Sequence, residues 1–243
     1  MILVAFGAHP DDVELALGAT LANAALAGHR VLIVDLTRGE RGSAGSGATR
    51  MREARAAAKI LGTSRATLGL PDTELSRFDR RQLRALVRIL RLAKPDLVFA
   101  PTGRDRHPDH VETHHLVRRA AMLAGFRRVA PALGAPHRLP ALLYYPSSRE
   151  SLGEPDLIVD VGTAIERKMA ALATYRSQFV RGRGGPATPL NAPGFLTQVR
   201  ARAAALGAVA GCDYAEGFQI AYPLVVRDPV ALWAKSQAGG RRS

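Results

Sequence analysis

The sequence predicts an α/β fold, a single-domain Rossmann-like sandwich with a mostly parallel central sheet and helices on both faces. Three observations predict it. Short, almost wholly apolar runs at residues 2–6, 30–36 and 97–100 have the length and composition of strands buried on both faces. Stretches of helical period lie between them. The chain of 243 residues, 47% of them apolar, can bury one sizeable core, and no linker divides it. The domain is expected to cover residues 1–235, with 236–243 a disordered tail by composition.

The elements follow in order. Residues 2–6 form a buried strand with a compact exit at Gly7 and Ala8. From 13 to 27, Val13, Leu17, Leu21 and Ala24 recur at helical spacing, and Gly28 suits a C-terminal stop. Residues 30–36 give the next strand. Residues 38–47 are rich in Gly and Ser without periodicity and read as a mobile loop. Thr49 is the expected cap of a helix with Met51, Ala54, Ala58 and Leu61 on one face, ending at Gly62. Residues 66–68 form a short strand and Leu70-Pro71-Asp72 a turn. Residues 80–92 are strongly amphipathic, with Leu83, Leu86, Val87 and Leu90 inward and Arg80, Arg81, Arg84, Arg88 and Arg91 outward. Lys94-Pro95-Asp96 breaks that helix before the strand at 97–100. Residues 111–124 are helical, 130–140 connect, and 141–145 and 157–161 are strands. A helix over 165–175, a flexible loop or lid over 180–193, a helix over 194–209 and a strand or irregular stretch over 214–222 complete the domain.

Composition excludes several classes. Cys212 is the sole cysteine, so neither an intramolecular disulfide nor a cysteine zinc cage is available, which points to a cytoplasmic protein. No secretory signal is expected, and no stretch approaches the roughly 20 apolar residues of a membrane span. The formal charge of +13 raises nucleic-acid binding, but the arginines are dispersed and only Lys59, Lys94, Lys168 and Lys235 are lysines. A small-molecule substrate bearing carboxylates suits that charge better than a nucleic acid.

The chemistry concentrates in two places. His9-Pro10-Asp11-Asp12 falls between the first strand and the first helix. His107-Pro108-Asp109-His110 follows the strand at 97–100. An imidazole and a carboxylate three positions apart on a strand-to-helix turn can face one small cation, and the adjacent carboxylate is left over. A catalytic zinc needs about three protein ligands and a base beside its water. Asp11 and Asp12 can divide these jobs, and spacing leaves the two interchangeable. Loops at the carboxyl ends of parallel strands converge in one crevice, so the two motifs are expected to meet. The plain alternative for either motif alone is a capped helix start. A dinucleotide site is a weaker reading still, because no G-x-G-x-x-G follows the first strand and a His/Asp loop repels rather than cradles pyrophosphate. His114, four residues after His110, lacks the Glu directly after the first His that a zinc-protease helix requires, and reads as structural with His115.

His9-Pro10-Asp11-Asp12-Val13-Glu14, Gly18 and His107-Pro108-Asp109-His110 resemble the signatures of the LmbE-like, or PIG-L, de-N-acetylases. Val34-Asp35-Leu36-Thr37-Arg38-Gly39-Glu40, Leu68-Gly69-Leu70-Pro71-Asp72, Tyr144-Tyr145-Pro146 and Tyr175-Arg176-Ser177-Gln178-Phe179 resemble the bacillithiol-biosynthesis deacetylase branch. The resemblance implies Zn²⁺ or Fe²⁺ on His9, Asp12 and His110, and Asp11 as general base. It places His107 to stabilise the oxyanion or protonate the amine, with Asp109 orienting it. Arg50, which precedes a Glu53-Ala54 pair, resembles the family's active-site arginine and is expected to bind the substrate at its carboxylates or its sugar; its plain alternative is a solvated surface residue. The implied reaction is removal of acetate from an N-acetylglucosaminyl conjugate, N-acetylglucosaminyl L-malate in that branch, by a homo-oligomer. The rivals are deacetylation of another acetylamino sugar or thiol conjugate and, from a different class, a metal-free binding module with a basic surface. One departure stands out: the family usually has two glycines where this chain has Gly18-Ala19, and Ala is expected to be tolerated in a helix interior.

Overall fold

A computed structural model describes residues 1–148, 153–228 and 230. The strands β1 (Ile2–Gly7), β2 (Arg30–Asp35), β3 (Ser64–Thr67), β4 (Leu97–Pro101), β5 (Ala141–Tyr145), β6 (Leu157–Asp160) and β7 (Ala215–Ile220) form one sheet. Its order is β3-β2-β1-β4-β5-β7-β6. The first five strands are parallel, while β7 runs antiparallel to both of its neighbours. The helices are α1 (Asp12–Leu26), α2 (Gly47–Leu61), α3 (Arg80–Ala93), α4 (Pro108–Ala124), α5 (Ile165–Ala173), the single turn α6 (Arg176–Phe179) and α7 (Phe195–Ala210). The α/β sandwich expected from the sequence is therefore present.

Alternation along β1 shows how the sheet is covered. Leu3 and Ala5 face a core shared with Leu21, Ala54, Leu61 and Ala171, from α1, α2 and α5. Val4 and Phe6 face the other core, with Leu86, Leu90, Val117 and Ala120 of α3 and α4. Both faces of the strand are dry, which is why it reads as an uninterrupted apolar run.

Several boundaries differ from expectation for local reasons. The second helix starts earlier than Thr49, because the Ser46 hydroxyl accepts from the Thr49 N–H at 3.2 Å and caps it. Helix α4 also starts early, with Pro108 in its first turn and His107 as the cap. The helix expected over 165–175 ends at Ala173, and Tyr175 caps the turn α6. The loop over 38–47 is held rather than loose. The Arg41 N–H donates to Asp72 at 2.8 Å, the Asp72 N–H donates to Glu40 at 3.0 Å, and Gln178 donates to Ala44 O at 2.7 Å. Ala19, which stands at the second of the Gly18-Ala19 positions, is wholly buried in the first core. The tail at 236–243 and the boundary at 235 lie outside the described residues.

Arg91 corrects the helical-wheel reading that turned it outward with its neighbours. It is 1% exposed. Its guanidinium donates to the carbonyls of Ala124, Phe126, Val129 and Ala130 at 2.8–3.1 Å, closing the C-terminal end of α4 and the turn after it. Helix ends leave such carbonyls without partners, and a planar donor set can serve several at once. Arg91→Met should therefore lower unfolding free energy by on the order of 3 kcal/mol, since buried acceptors would be stranded. Chemical denaturation checks this, and an unchanged midpoint would remove the capping role.

Candidate active site

Two loops at the carboxyl ends of neighbouring strands build the site. β1 runs through His9, Pro10 and Asp11 into α1, and β4 runs through Asp105 and His107 into α4. β1 and β4 pair directly, from Leu3↔Leu97 to Ala5↔Phe99, at the point where the strand order turns back. Loops on either side of such a point open a crevice. Here it is a cleft of about 720 Å³ with His9, Asp11, Asp12, His107 and His110 in its wall.

The three imidazoles are neighbours. Ring centroids lie 4.7 Å apart for His9 and His107, 4.8 Å for His107 and His110, and 5.4 Å for His9 and His110. Asp12 stands between two of them, with Oδ1 3.2 Å from His110 Nε2 and Oδ2 3.4 Å from His9 Nδ1. The remaining nitrogen of each of these rings meets a further carboxylate. His9 Nε2 lies 3.1 Å from Asp72 and 3.3 Å from Asp109, and His110 Nδ1 lies 3.1 Å from Asp105. Imidazoles that bind metal commonly have an acceptor on the far nitrogen, which fixes the tautomer and ring orientation. His9 Nδ1, Asp12 and His110 Nε2 thus form an N/O donor set of the kind that suits a divalent zinc or iron ion. Among the described residues, the groups whose ligand atoms all lie within 4.8 Å of one another and could hold a metal are His9, His107 and His110, and His9, Asp72 and Asp109.

Asp11 is the carboxylate left over. Its backbone has φ +104°, a region that costs a non-glycine residue about 1–3 kcal/mol and is found at functional sites. Arg50 of α2 holds it, with Nη2 3.2 Å from Asp11 Oδ2 and 2.6 Å from Pro10 O, and Nη1 3.2 Å from Gly39 O. Gly39 is required there, because a Cβ would fall 2.0 Å from Arg50 Nη1. Arg50 is 5% exposed, so it is no solvated surface residue, and it still borders the cleft.

Environment separates the two adjacent aspartates. Burial, with Asp12 and Glu14 nearby, pushes Asp11 up to about 7 in spite of Arg50. Burial also acts on Asp12, but His110 and His9 overcome it and hold the carboxyl well below its usual range. His110 is raised to about 9, because Asp12 and Asp105 outweigh its burial. His107 is lowered by burial and by the two other imidazoles. Its Nδ1 accepts the Asp109 N–H at 3.3 Å as the cap of α4. The neutral ring must then carry its proton on Nε2, as a donor.

All the residues singled out in sequence come together: His9, Asp11, Asp12, Arg50, His107, Asp109 and His110. The role expected of Asp109 is corrected. Its carboxylate does not reach His107, whose Nδ1 is already taken by the Asp109 backbone. Instead Oδ2 lies beside His9 and accepts the Thr73 N–H at 2.8 Å. Sequence reasoning misses Asp72 and Asp105 as site residues. Asp72, held down to about 2 because His9 and the Arg41 N–H override its burial, lies in the turn 70–72. Asp105 accepts from the His107 N–H at 2.8 Å and from the Ser147 hydroxyl at 2.6 Å. Its signal is slight, one acid two places before a histidine.

Comparison with known proteins agrees with this geometry. The sequence profile of PIG-L, GlcNAc-PI de-N-acetylase, matches residues 4–121, which contain both motifs. Diacetylchitobiose deacetylase of Thermococcus kodakarensis is 30% identical over 186 residues, covering 70% of this chain and 67% of that one. A 1D-myo-inositol 2-acetamido-2-deoxy-alpha-D-glucopyranoside deacetylase of Saccharopolyspora erythraea is 30% identical over 222 residues, 70% of this chain and 81% of that one. Among solved structures, the conserved protein TT1542 of Thermus thermophilus superposes with a TM-score of 0.81 at 36% identity, covering 93% of this chain and 96% of that one. Motifs, fold and relatives agree, and the chain belongs to the PIG-L, LmbE-like family of de-N-acetylases.

Proposed function

We propose that the protein is a metal-dependent amidohydrolase that removes acetate from an N-acetylglucosaminyl conjugate, with N-acetylglucosaminyl L-malate as its substrate. The observation that carries the reading is the division of labour at Asp11 and Asp12. One carboxylate stands between two imidazoles that are each backed by a further carboxylate; its neighbour is buried beside a single arginine with a pKa near neutrality. In this reading His9, Asp12 and His110 hold Zn²⁺ or Fe²⁺. Such an ion supplies a Lewis acid that polarises the acetyl oxygen and lowers the pKa of water to about 7. The group His9, Asp72 and Asp109 is the weaker candidate, because it uses the His9 nitrogen that second-partner carboxylates normally occupy.

Asp11 accepts the proton of the attacking water, a task for which a pKa near the working pH is best. Arg50 keeps it from rising further and fixes its direction. The Nε2–H of His107 faces the cleft as a donor for the developing oxyanion. Two protons are then available to the departing amine, that of Asp11 after the attack and that of His107. Asp109 and Asp72 hold His9, and Asp105 holds His110. The malyl group suits the basic rim of the cleft, where Arg106 has no carboxylate partner among the described residues. The unpaired Cys212 and the absence, among the described residues, of a helix long and apolar enough to cross a membrane accord with a cytoplasmic enzyme. The relatives support a second reading, in which the acetylated sugar is a chitobiose or an inositol glycoside; acetate release from a panel of the three conjugates decides between them.

Bound metal and acetate release should separate the roles. Asp11→Asn should keep its metal and lose turnover by about 10²–10⁴, the usual contribution of a general base. His110→Ala should lose both. Full activity in Asp11→Asn would end the base assignment.

Arg106→Ala should raise KM for the malyl conjugate by roughly tenfold or more, as expected for the loss of a charge-assisted hydrogen bond, with kcat little changed. KM for an uncharged N-acetylglucosaminide should not move. Equal effects on the two substrates would count against the carboxylate subsite.

A further inference from the structure

Helix α1 carries Asp12 in its first turn and is broken soon afterwards. At Leu17 the backbone leaves helical geometry, with φ −135° and ψ 20°. Just past the break, the N–H groups of Ala19 and Thr20 donate to the two carboxylate oxygens of Glu216, on β7, at 3.2 and 2.7 Å. Just before it, the carbonyl of Ala16 lies 3.4 Å from Nζ of Lys168, on α5. Nζ is also 2.6 Å from Glu216 Oε1. The stem of Lys168 passes Gly18, where a Cβ would come within 3.4 Å of Lys168 Cγ.

In an unbroken helix the Thr20 N–H would bond to the Ala16 carbonyl. Here an ion pair serves those two groups, carboxylate on the donor and ammonium on the acceptor. Side chains inserted into the backbone ladder are a recognised cause of sharp helix bends. Both residues are almost wholly buried, Lys168 at 2% and Glu216 at 3% exposure. A buried pair of this kind adds little stability over apolar residues of the same volume. Its specific effect is geometric: it fixes the direction of residues 12–16 relative to the rest of α1. That short piece follows Asp11 and bears Asp12 and Glu14.

We infer that Lys168 and Glu216 are positioning residues, which hold the break in α1 open and so aim Asp12 at His9 and His110. Neither touches the cleft chemistry. The inference rests on the metal-hydrolase reading, because a misdirected Asp12 shows first as weakened metal binding. Ligand direction matters at the scale of about 0.5 Å, and loss of a residue that orients a metal ligand typically weakens metal affinity by about 10–100-fold.

The test compares full-length wild type, Glu216→Gln, Lys168→Met and Arg91→Met. Zn²⁺ affinity is measured by competition with a chromophoric chelator, and turnover on N-acetylglucosaminyl malate is measured well below each melting temperature. Glu216→Gln and Lys168→Met should each bind Zn²⁺ at least about tenfold more weakly. Their kcat should fall while KM stays within about twofold, the pattern of an interaction needed in the transition state. Arg91→Met, a stability control at the far end of α3, should melt earlier yet keep wild-type metal affinity and kcat. Should Lys168→Met fail to fold, Glu216→Gln carries the test, because it is isosteric and keeps a carbonyl oxygen for one N–H group. Wild-type affinity and turnover in Glu216→Gln, with only the melting temperature reduced, would overturn the inference alone. No Zn²⁺ uptake by the wild type would overturn the hydrolase reading and this inference with it.

Discussion

The pairing of β1 with β4 is the constraint on which the site depends. Three residue pairs, Leu3↔Leu97, Val4↔Val98 and Ala5↔Phe99, put loops about a hundred positions apart in sequence side by side. The two cores fix that register. A slip of one residue would move Val4 and Phe6 to the face now held by Leu3 and Ala5, reversing both packings. It would also displace one loop by about 3.3 Å against the other, more than a hydrogen bond can absorb. The meeting of His9, Asp12 and His110 is therefore a product of apolar packing several residues below them.

Above that base, the protein manages an unusual density of buried charge. Glu14 lies wholly buried with Oε1 against Arg65 and 2.9 Å from the Tyr175 hydroxyl. Arg65 also grips both oxygens of Asp35 at 2.7 Å. Burial still raises Asp35 to about 6, since Glu14 and Asp12 oppose the help from Arg65. Of these groups, Glu14 supplies part of the field felt by Asp11. Adjacent aspartates with opposite shifts are a familiar way for one fold to place a base beside a permanently ionised group. Both are buried; two imidazoles hold Asp12 down, whereas Arg50 only partly offsets the burial of Asp11 and the charges of Asp12 and Glu14.

Much of this was legible in the sequence, and the boundary of legibility has a physical cause. Strands buried on both faces announce themselves as apolar runs, and the two His/Asp motifs are compact because each sits on one turn. Arg50 and Asp109 could be named, yet the role of Asp109 could not, since it depends on a side chain turning toward another loop. Asp72 and Asp105 lie in irregular segments with no period to mark them, and their roles depend on where the His9 and His110 side chains turn. Arg91 has the heptad position of a solvated residue and is buried by carbonyls from the end of a different helix. The break at Leu17 is invisible for the same reason: its causes, Lys168 and Glu216, lie some 150 and 200 positions along the chain. Periodicity reports what a segment does for itself, and these features are imposed from elsewhere.

The left-handed backbone at Asp11 carries an evolutionary consequence. Glycine would occupy φ +104° without the steric penalty that a Cβ brings, so the position is held by aspartate against a local conformational preference. Selection for heat resistance meets a conflict there, because glycine relieves the strain but leaves the buried Arg50 guanidinium without the carboxylate it pairs with. Backbone relaxation and charge pairing pull in opposite directions at this residue, where function keeps a strained conformation in place.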